Sequence, residues 1–344
     1  MSTLREMAER LGVSIATVSR AMNDKPGVGS ETRQRVLALA QELQYQPNLA
    51  ARSLVTSRTN TILFIVHQRQ FTEAEDPFYP FIMLGLEEAL KVDGFHVMLL
   101  TLNDAQLAAG PTALRAFQEK RADALVLAGP DISSKFILSA SALGLTTLLV
   151  DNQLQLSSFT SVQPQNEEGS QSSTNHLIEV HQHRHIALLR GPGGWASSDE
   201  RAAGYLAAMG GANLDPILVE VDDTTIESGK DAAKQALEHH PQVTAFVTAN
   251  DAMAIGAMRA ARGMGRRTPE DIAVIGFDDI SWASYADPPL TTVRIPTIEM
   301  GRLAGRLLLE LLNGAVSVKS RVRVATQPII RQSCGCNGHI EEKK

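Results

Sequence analysis

Residues 3–23 read TLREMAERLGVSIATVSRAMN, and few folds accommodate that string. Leu4, Met7, Ala8 and Leu11 recur at helical spacing and predict a short amphipathic helix. Thr3 followed by Glu6 fits a capping box at its start. Gly12 sits where the helix must stop and turn, because glycine takes left-handed backbone angles without a Cβ clash. Ser14 is placed to cap a second helix that carries Ala16, Thr17, Val18, Ser19 and Arg20, with Val18 and Ala21 turned inward. Two short helices across a glycine turn match a helix-turn-helix, whose second helix reads the major groove of DNA. Ser30 opens a third helix over roughly 31–44, with Val36, Leu37, Ala40 and Leu43 expected on one face. Residues 1–46 are thus read as an all-α headpiece. Pro47 and Asn48 interrupt it, and LAARSLV (49–55) is too short to be a stable helix alone in water. Residues 47–58 are therefore read as a linker that orders against DNA or a partner copy.

From Thr61 the pattern changes. Apolar runs recur at 62–66, 97–100, 124–129, 147–151, 186–191, 245–250 and 272–278. Amphipathic stretches lie between and after them, at 81–94, 198–211, 228–240, 250–265 and 299–314. Continuous apolar strands alternating with helices mean parallel sheets covered on both faces. About ten strands exceed one typical sheet, so residues 59–334 are expected to form a two-lobed α/β core of doubly wound sheets. The first lobe is placed at about 61–161 plus 292–318, and the second at about 162–291 plus 319–334. Residues 335–344 are read as a disordered tail. Polar residues fall at several predicted strand ends (Asp151, Asn250, Asp251, Asp278, Asp279), where such sheets bind ligands. Helix capping is the alternative role for about half of them.

Charge is unevenly spread. Residues 1–60 carry a net +3 and the remainder −9, which suits phosphate contact at one end only. No apolar run reaches the roughly 18 residues of a membrane span, and charges from Arg5 onward break any signal peptide. Both cysteines, Cys334 and Cys336, lie in a CGC near the end of the chain. They are read as an inert tail in a reducing cytoplasm, since two thiols alone cannot complete a four-ligand zinc site. HQHRHI (181–186), with His176 nearby, is not expected to bind metal, because its ligands do not converge on a helix-to-strand junction. GPGG (191–194) lacks the lysine ending of a phosphate loop. No nucleophile has a base at motif spacing, and neither a cofactor nor an enzymatic activity is expected.

VSIATVSRAMN (13–23), ETRQRV (31–36), ELQYQPNLAARSL (42–54), RAAGY (201–205), NDAMAIGAMRA (250–260) and IAVIGFDDISWASYADPPLTTVR (272–294) together resemble the lac and galactose repressor family. The resemblance runs in order from about residue 3 to 333. It implies that Ile15, Ala16 and Arg20 reach base edges, with Arg20 suited to paired hydrogen bonds with guanine. Ile15 and Ala16 are apolar where the lac repressor has a polar pair, which limits them to thymine methyls or shape. Thr17, Ser19, Asn23, Thr32 and Tyr45 fall at phosphate-contacting positions, and Asn48 completes the DNA-facing set. Residues 49–55 match the hinge helix, and Leu54 matches the leucine that wedges into the minor groove.

The same resemblance places an effector between the lobes, as in periplasmic sugar-binding proteins. Asp151, Arg201, Asn250 and Asp278 would line that cleft, with Phe78 as an aromatic wall and Ser197 facing the ligand. Thr224 stands where family members usually carry a stacking aromatic, and Trp195 is the candidate substitute. The expectation is a dimeric regulator, a repressor of a palindromic operator, controlled by a sugar or glycoside. The alternatives are a purine-like effector, a solute-binding protein of a transporter, or a sugar-modifying enzyme on the same fold.

Overall fold

The computed structural model of the chain describes residues 4–22, 24–43, 45, 59–69, 78–152, 159–314 and 320–336. The chain divides into two compact units, residues 1–59 and 60–344. The expected linker at 47–58 and the capping residue Thr3 lie outside the described residues.

In the first unit, α1 (Leu4–Leu11), α2 (Ile15–Met22) and α3 (Ser30–Glu42) surround a small core of Met7, Ala8, Val18, Ala21, Val36 and Ala40. Gly12 takes φ +66, and the turn closes with Val13 N–H donating to the Ala8 carbonyl at 3.1 Å. The Ser14 hydroxyl accepts from the Thr17 N–H at 3.0 Å and so caps α2. Leu37 departs from expectation. It faces solvent, while Leu39 and Leu43 pack with Val36 and Ala40. Leu37 is one residue, about 100°, away from the buried stripe that Val36 and Ala40 define.

The second unit holds two parallel sheets. The strands of the first are β1 (Thr61–His67), β2 (His96–Leu102), β3 (Ala124–Ala128), β4 (Thr146–Val150), β5 (Thr160–Pro164) and, much later, β11 (Arg321–Val324). Their order is β11-β5-β4-β3-β1-β2. Side chains alternate as a pleat requires. Ile62, Phe64 and Val66 pack beneath α4 (Phe78–Leu90), and Leu63 and Ile65 beneath the opposite layer. That layer includes α5 (Asp104–Ala109), α6 (Arg115–Gln118) and α7 (Ser134–Ser141), with Phe136 and Ile137 of α7 inserted into it.

The second sheet contains β6 (Ile186–Arg190), β7 (Ile217–Glu220), β8 (Ala245–Thr248) and β9 (Ala273–Ile275) in the order β7-β6-β8-β9. Around it lie α8 (Asn166–Glu179), α9 (Ala196–Gly211), α10 (Ile226–His239) and α11 (Asp251–Gly263). One face packs Leu177, Tyr205 and Met209, and the other Ala233, Leu237 and Met253. β10 (Thr292–Arg294) and β12 (Gln327–Ile329) form a small antiparallel pair, and α12 (Thr297–Leu312) returns to pack on α4.

Two lobe boundaries expected from the sequence need correction. The cut at 161/162 falls inside β5, and the cut at 318/319 assigns β11 to the wrong lobe, since both strands belong to the first sheet. TSVQP and RVRV carry too little apolar character to be recognised as strands, which hid the true crossings near residues 165 and 325. The chain end is also no loose tail up to Cys336. Ser333 is pinned on both sides, its N–H donating to the Pro289 carbonyl at 3.0 Å and its Oγ to the Val274 carbonyl at 2.6 Å. Cys334 is buried in the core beneath α8 and α9. No helix among the described residues is long and apolar enough to cross a membrane.

Helices α4 and α12 touch backbone to backbone. A Cβ at Gly85 would overlap the Ile298 carbonyl, and one at Gly301 the Ile82 carbonyl. Gly301→Ala is expected to cost about 1–3 kcal/mol through overpacking. Gly210, near the end of α9, has open space around it, so Gly210→Ala should gain up to about 1 kcal/mol. Urea denaturation of the two variants checks both signs.

Candidate functional site

Segments that follow strands of both sheets contribute to one cleft. β4 ends at Val150, and Asp151 follows with φ +48. β8 ends at Thr248, and Asn250 turns the chain into α11 as its N-cap, accepting from the Met253 N–H at 2.9 Å. β9 is followed by Asp278 at φ +104. The cleft encloses an open cavity of about 540 Å³ lined by Phe78, Tyr79, Pro130, Asp151, Trp195, Ser197, Ser198, Arg201, Thr224, Ala249, Asn250 and Asp278. All six residues expected to face an effector line this one cavity, and Trp195 and Thr224 line it too.

Arg201 forms the floor. Its Nε donates to Asn166 Oδ1 at 2.9 Å, its Nη2 to Asp278 Oδ1 at 3.0 Å and its Nη1 to the Ala249 carbonyl. The guanidinium lies 3.8 Å from the centre of the Phe277 ring, a cation–π contact. These bonds use three of the five guanidinium N–H groups. The other two belong to Nη1 and Nη2, the ends nearest the cavity-lining Ala249 and Asp278. Asn166 in turn donates to Glu200 Oε2 at 3.0 Å, and Glu200 accepts from Arg323 Nη2 at 2.9 Å. Sequence reasoning missed Asn166, Glu200 and Arg323, because none falls in a recognisable motif.

On the other lobe, Tyr79 OH donates to Asp151 Oδ2 at 2.8 Å. Burial raises the Asp151 carboxyl to about 6, against the downward pull of Arg201 and of the Tyr79 hydrogen bond. Asn250 Nδ2 donates to the Thr224 carbonyl at 3.0 Å, so its amide is both a structural bracket and part of the lining. Asp251 and Asp279 do not line this cavity. Asp251 accepts from the Ile280 N–H at 2.9 Å, and Asp279 from Arg294 Nε at 2.6 Å and Arg331 Nη2 at 2.7 Å. Both hold the loop after β9 in shape. The cavity as a whole offers carboxylates, a guanidinium, an amide and a hydroxyl between aromatic walls, which can exchange paired hydrogen bonds with neighbouring ligand hydroxyls while apolar faces stack.

In the first unit, Ile15, Ala16 and Arg20 are exposed on α2, and Ile15 is 49% accessible despite its apolar side chain. Thr17, Ser19, Thr32 and Tyr45 are half-buried. Thr17 Oγ1 shares a hydrogen bond with Ser14 Oγ at 2.9 Å, so it contributes to the helix cap. Tyr45 packs against the headpiece core. Asn23, Asn48 and Leu54 lie outside the described residues.

Comparison with known proteins accounts for this arrangement. Residues 3–48 match the bacterial regulatory proteins of the lacI family, and residues 174–334 match a periplasmic binding protein-like domain. The HTH-type transcriptional regulator CelR of Thermobifida fusca is 34% identical over 345 residues, covering 96% of this chain and 98% of that protein. The chain belongs to the lacI family. It is a DNA-binding transcriptional regulator with a helical headpiece and an α/β core. Among solved structures, a CelR–cellobiose complex superposes with a TM-score of 0.73 at 31% identity, covering 97% of this chain and all of that one. The lac repressor dimer bound to operator and an anti-inducer superposes at 0.83 with 28% identity, covering 97% and 99%.

The raised Asp151 carboxyl has a consequence for stability. Between its ordinary value of 3.8 and about 6, the folded chain keeps a proton that the unfolded chain has lost. Stability should therefore fall as pH rises through that window and level off above it. Asp151→Asn is expected to remove this slope and to melt higher than the parent at pH 7. Melting curves of both proteins from pH 4 to 7 in the absence of ligand, spacing the scans by about half a unit, check the sign.

Proposed function

We propose that this chain is a dimeric repressor that binds a palindromic operator and is controlled by a sugar or glycoside in the cleft between its lobes. The observation that carries the effector class is the cleft lining. Asp151, Asp278, Arg201, Asn250 and Ser197 converge on one cavity with Phe78 and Trp195 beside them. Vicinal hydroxyls offer a donor and an acceptor on adjacent atoms, which carboxylate, guanidinium and amide groups satisfy in pairs. The aromatic walls suit the apolar faces of a pyranose ring. A relative of similar length has been solved with cellobiose bound, which supports a carbohydrate.

Two copies of the chain would present two α2 helices to two half-sites, as the symmetry of a palindrome requires. Arg20 would read guanine, while Ile15 and Ala16 would meet thymine methyls. Asn23, Asn48, Thr17, Ser19, Thr32 and Tyr45 would hold phosphates, and Leu54 would enter the minor groove. The effector acts only as far as it prefers one lobe arrangement over another.

A thermal-shift panel of sugars, glycosides, sugar phosphates and purines tests the effector class, because a ligand at about a hundred times its dissociation constant adds about 2.7 kcal/mol. A sugar or glycoside should raise the melting point by a few degrees and alter operator affinity. A shift with purines alone would overturn the carbohydrate assignment. Trp195→Ala should weaken the ligand-induced shift at least tenfold in ligand concentration, the loss of about 1.4 kcal/mol, and leave operator affinity without ligand unchanged.

Arg20→Ala should cost about 1–3 kcal/mol at one base pair in each half-site. Fluorescence anisotropy against operators substituted at each position checks this, and a uniform loss on every sequence would assign Arg20 to phosphate instead.

A further inference from the structure

Four metal-ligating side chains outside the cleft converge although they are far apart in sequence. His176 stands in the last turn of α8. The chain leaves that helix, passes His181 and turns at Gln182, whose φ of +58 directs it back toward β6. Cys334 and Cys336 arrive from the other end of the chain, held by the Ser333 hydrogen bonds to the Val274 and Thr291 backbone. Their ligand atoms all lie within 4.8 Å of one another. His181 Nε2 is 3.2 Å from Cys336 Sγ, and His176 Nε2 is 3.5 Å from it. The two imidazoles meet edge to face with centroids 5.0 Å apart.

We propose that His176, His181, Cys334 and Cys336 form a structural zinc site that fastens the end of the chain to the last turn of α8. Two thiolates and two imidazoles are a tetrahedral zinc donor set. Zinc–sulfur bonds of about 2.3 Å and zinc–nitrogen bonds of about 2.0–2.1 Å give nitrogen–sulfur edges of about 3.5–3.6 Å in a tetrahedron. The two sulfur–nitrogen separations are already within a few tenths of an ångström of that edge. With four protein ligands the coordination sphere is closed, so the site holds structure and leaves no position for a substrate.

The surroundings are shaped for the same geometry. Thr291 Oγ1 donates to Cys334 Sγ at 3.2 Å, the kind of outer hydrogen bond that orients a ligating sulfur. Gly335, at φ +99, folds the chain between the two cysteines, and a Cβ there would stand 3.3 Å from the His181 ring. Cys334 is buried and the other three ligands are half-buried. A metal would therefore be shielded on one side by the core beneath α8 and α9 and reachable on the other. The sequence had suggested an inert tail and no metal. The cluster appears only once the fold brings α8 against the end of the chain.

Cobalt(II) added to the reduced, metal-stripped full-length protein tests the proposal. Tetrahedral cobalt with thiolate ligands gives visible d–d absorption and a near-ultraviolet sulfur-to-metal charge-transfer band. Both are expected to saturate at one equivalent per chain, to bleach on addition of zinc, and to accompany a rise in melting temperature that chelator reverses. Cys336→Ser and His176→Gln should lose most of the charge-transfer or d–d intensity, while His239→Gln, on the exposed end of α10, should keep it. Operator binding by each variant confirms that it is folded. Absence of both bands in the parent protein, or undiminished bands in Cys336→Ser, would overturn the site. A hydrogen-bonded cluster that binds no metal would give the first of these results.

Discussion

A guanidinium buried at the floor of the cleft obliges three other stretches of chain to end within a few ångströms of it. Arg201 reaches Asn166 at the start of α8, the Ala249 carbonyl past β8 and Asp278 past β9, and it lies on Phe277. Removing any one of these partners would leave a buried charge short of its compensation, the costly way to break such a pair. The helix that carries Arg201 is in turn fixed against α8, where Ser170 Oγ donates to the Arg201 carbonyl at 2.7 Å. The second lobe is thus ordered around the group that also faces the cavity, which couples its folding to the shape of its binding surface.

The first lobe answers with a different device. Its strands β3 and β4 are buried on both faces, and the loops that follow them are tied together by Asn152, whose Nδ2 donates to the Gly129 carbonyl at 2.6 Å and the Ile132 carbonyl at 3.0 Å. Tyr79 fixes Asp151 from α4, and the carboxyl sits close enough to Arg201 to feel its charge. A ligand that enters between them meets an acid whose ionisation burial makes harder on one lobe and a guanidinium with two N–H groups still to satisfy on the other. An effector that drew the lobes together, as proposed above, would screen both groups further from water and strengthen their interaction with it.

Legibility in the sequence followed burial. ILFIV, ALVLA and IALLR announce themselves because both faces of each strand are covered, and Gly12 with Ser14 announces the turn between α1 and α2. TSVQP, RVRV and QPI do not, since β5, β11 and β12 mix polar side chains into short strands at the crossings. Helix α8 was invisible for the same reason. NEEGSQSSTNHLIE buries serine and threonine whose hydroxyls bond to backbone carbonyls, as Ser170, Ser173 and Thr174 do, and such burial leaves no apolar stripe to read. In the cleft, Asp151, Asn250 and Asp278 were marked by their places at predicted strand ends as well as by resemblance, and Phe78, Ser197 and Arg201 by resemblance alone, while Asn166, Glu200 and Arg323, which brace Arg201, emerged only from geometry. The His–Cys cluster joins residues about 155–160 positions apart, a separation that no local pattern can reveal.

The division between floor and walls has a practical consequence for redesign. Arg201 and Asn250 each hold backbone as well as facing the cavity, and Asp278 pairs with Arg201, so exchanging any of the three would trade recognition against folding. Phe78 lines the space too but is part of the first lobe's core, whereas the side chains of Trp195, Ser197 and Thr224 line it from the edges of helices and loops. A biosensor for a new small molecule would keep the first group intact and randomise the second. If the cleft binds the effector as proposed, such a library should contain molecules that fold but recognise different ligands, because the side chains of Trp195, Ser197 and Thr224 line the cavity without bonding to Arg201.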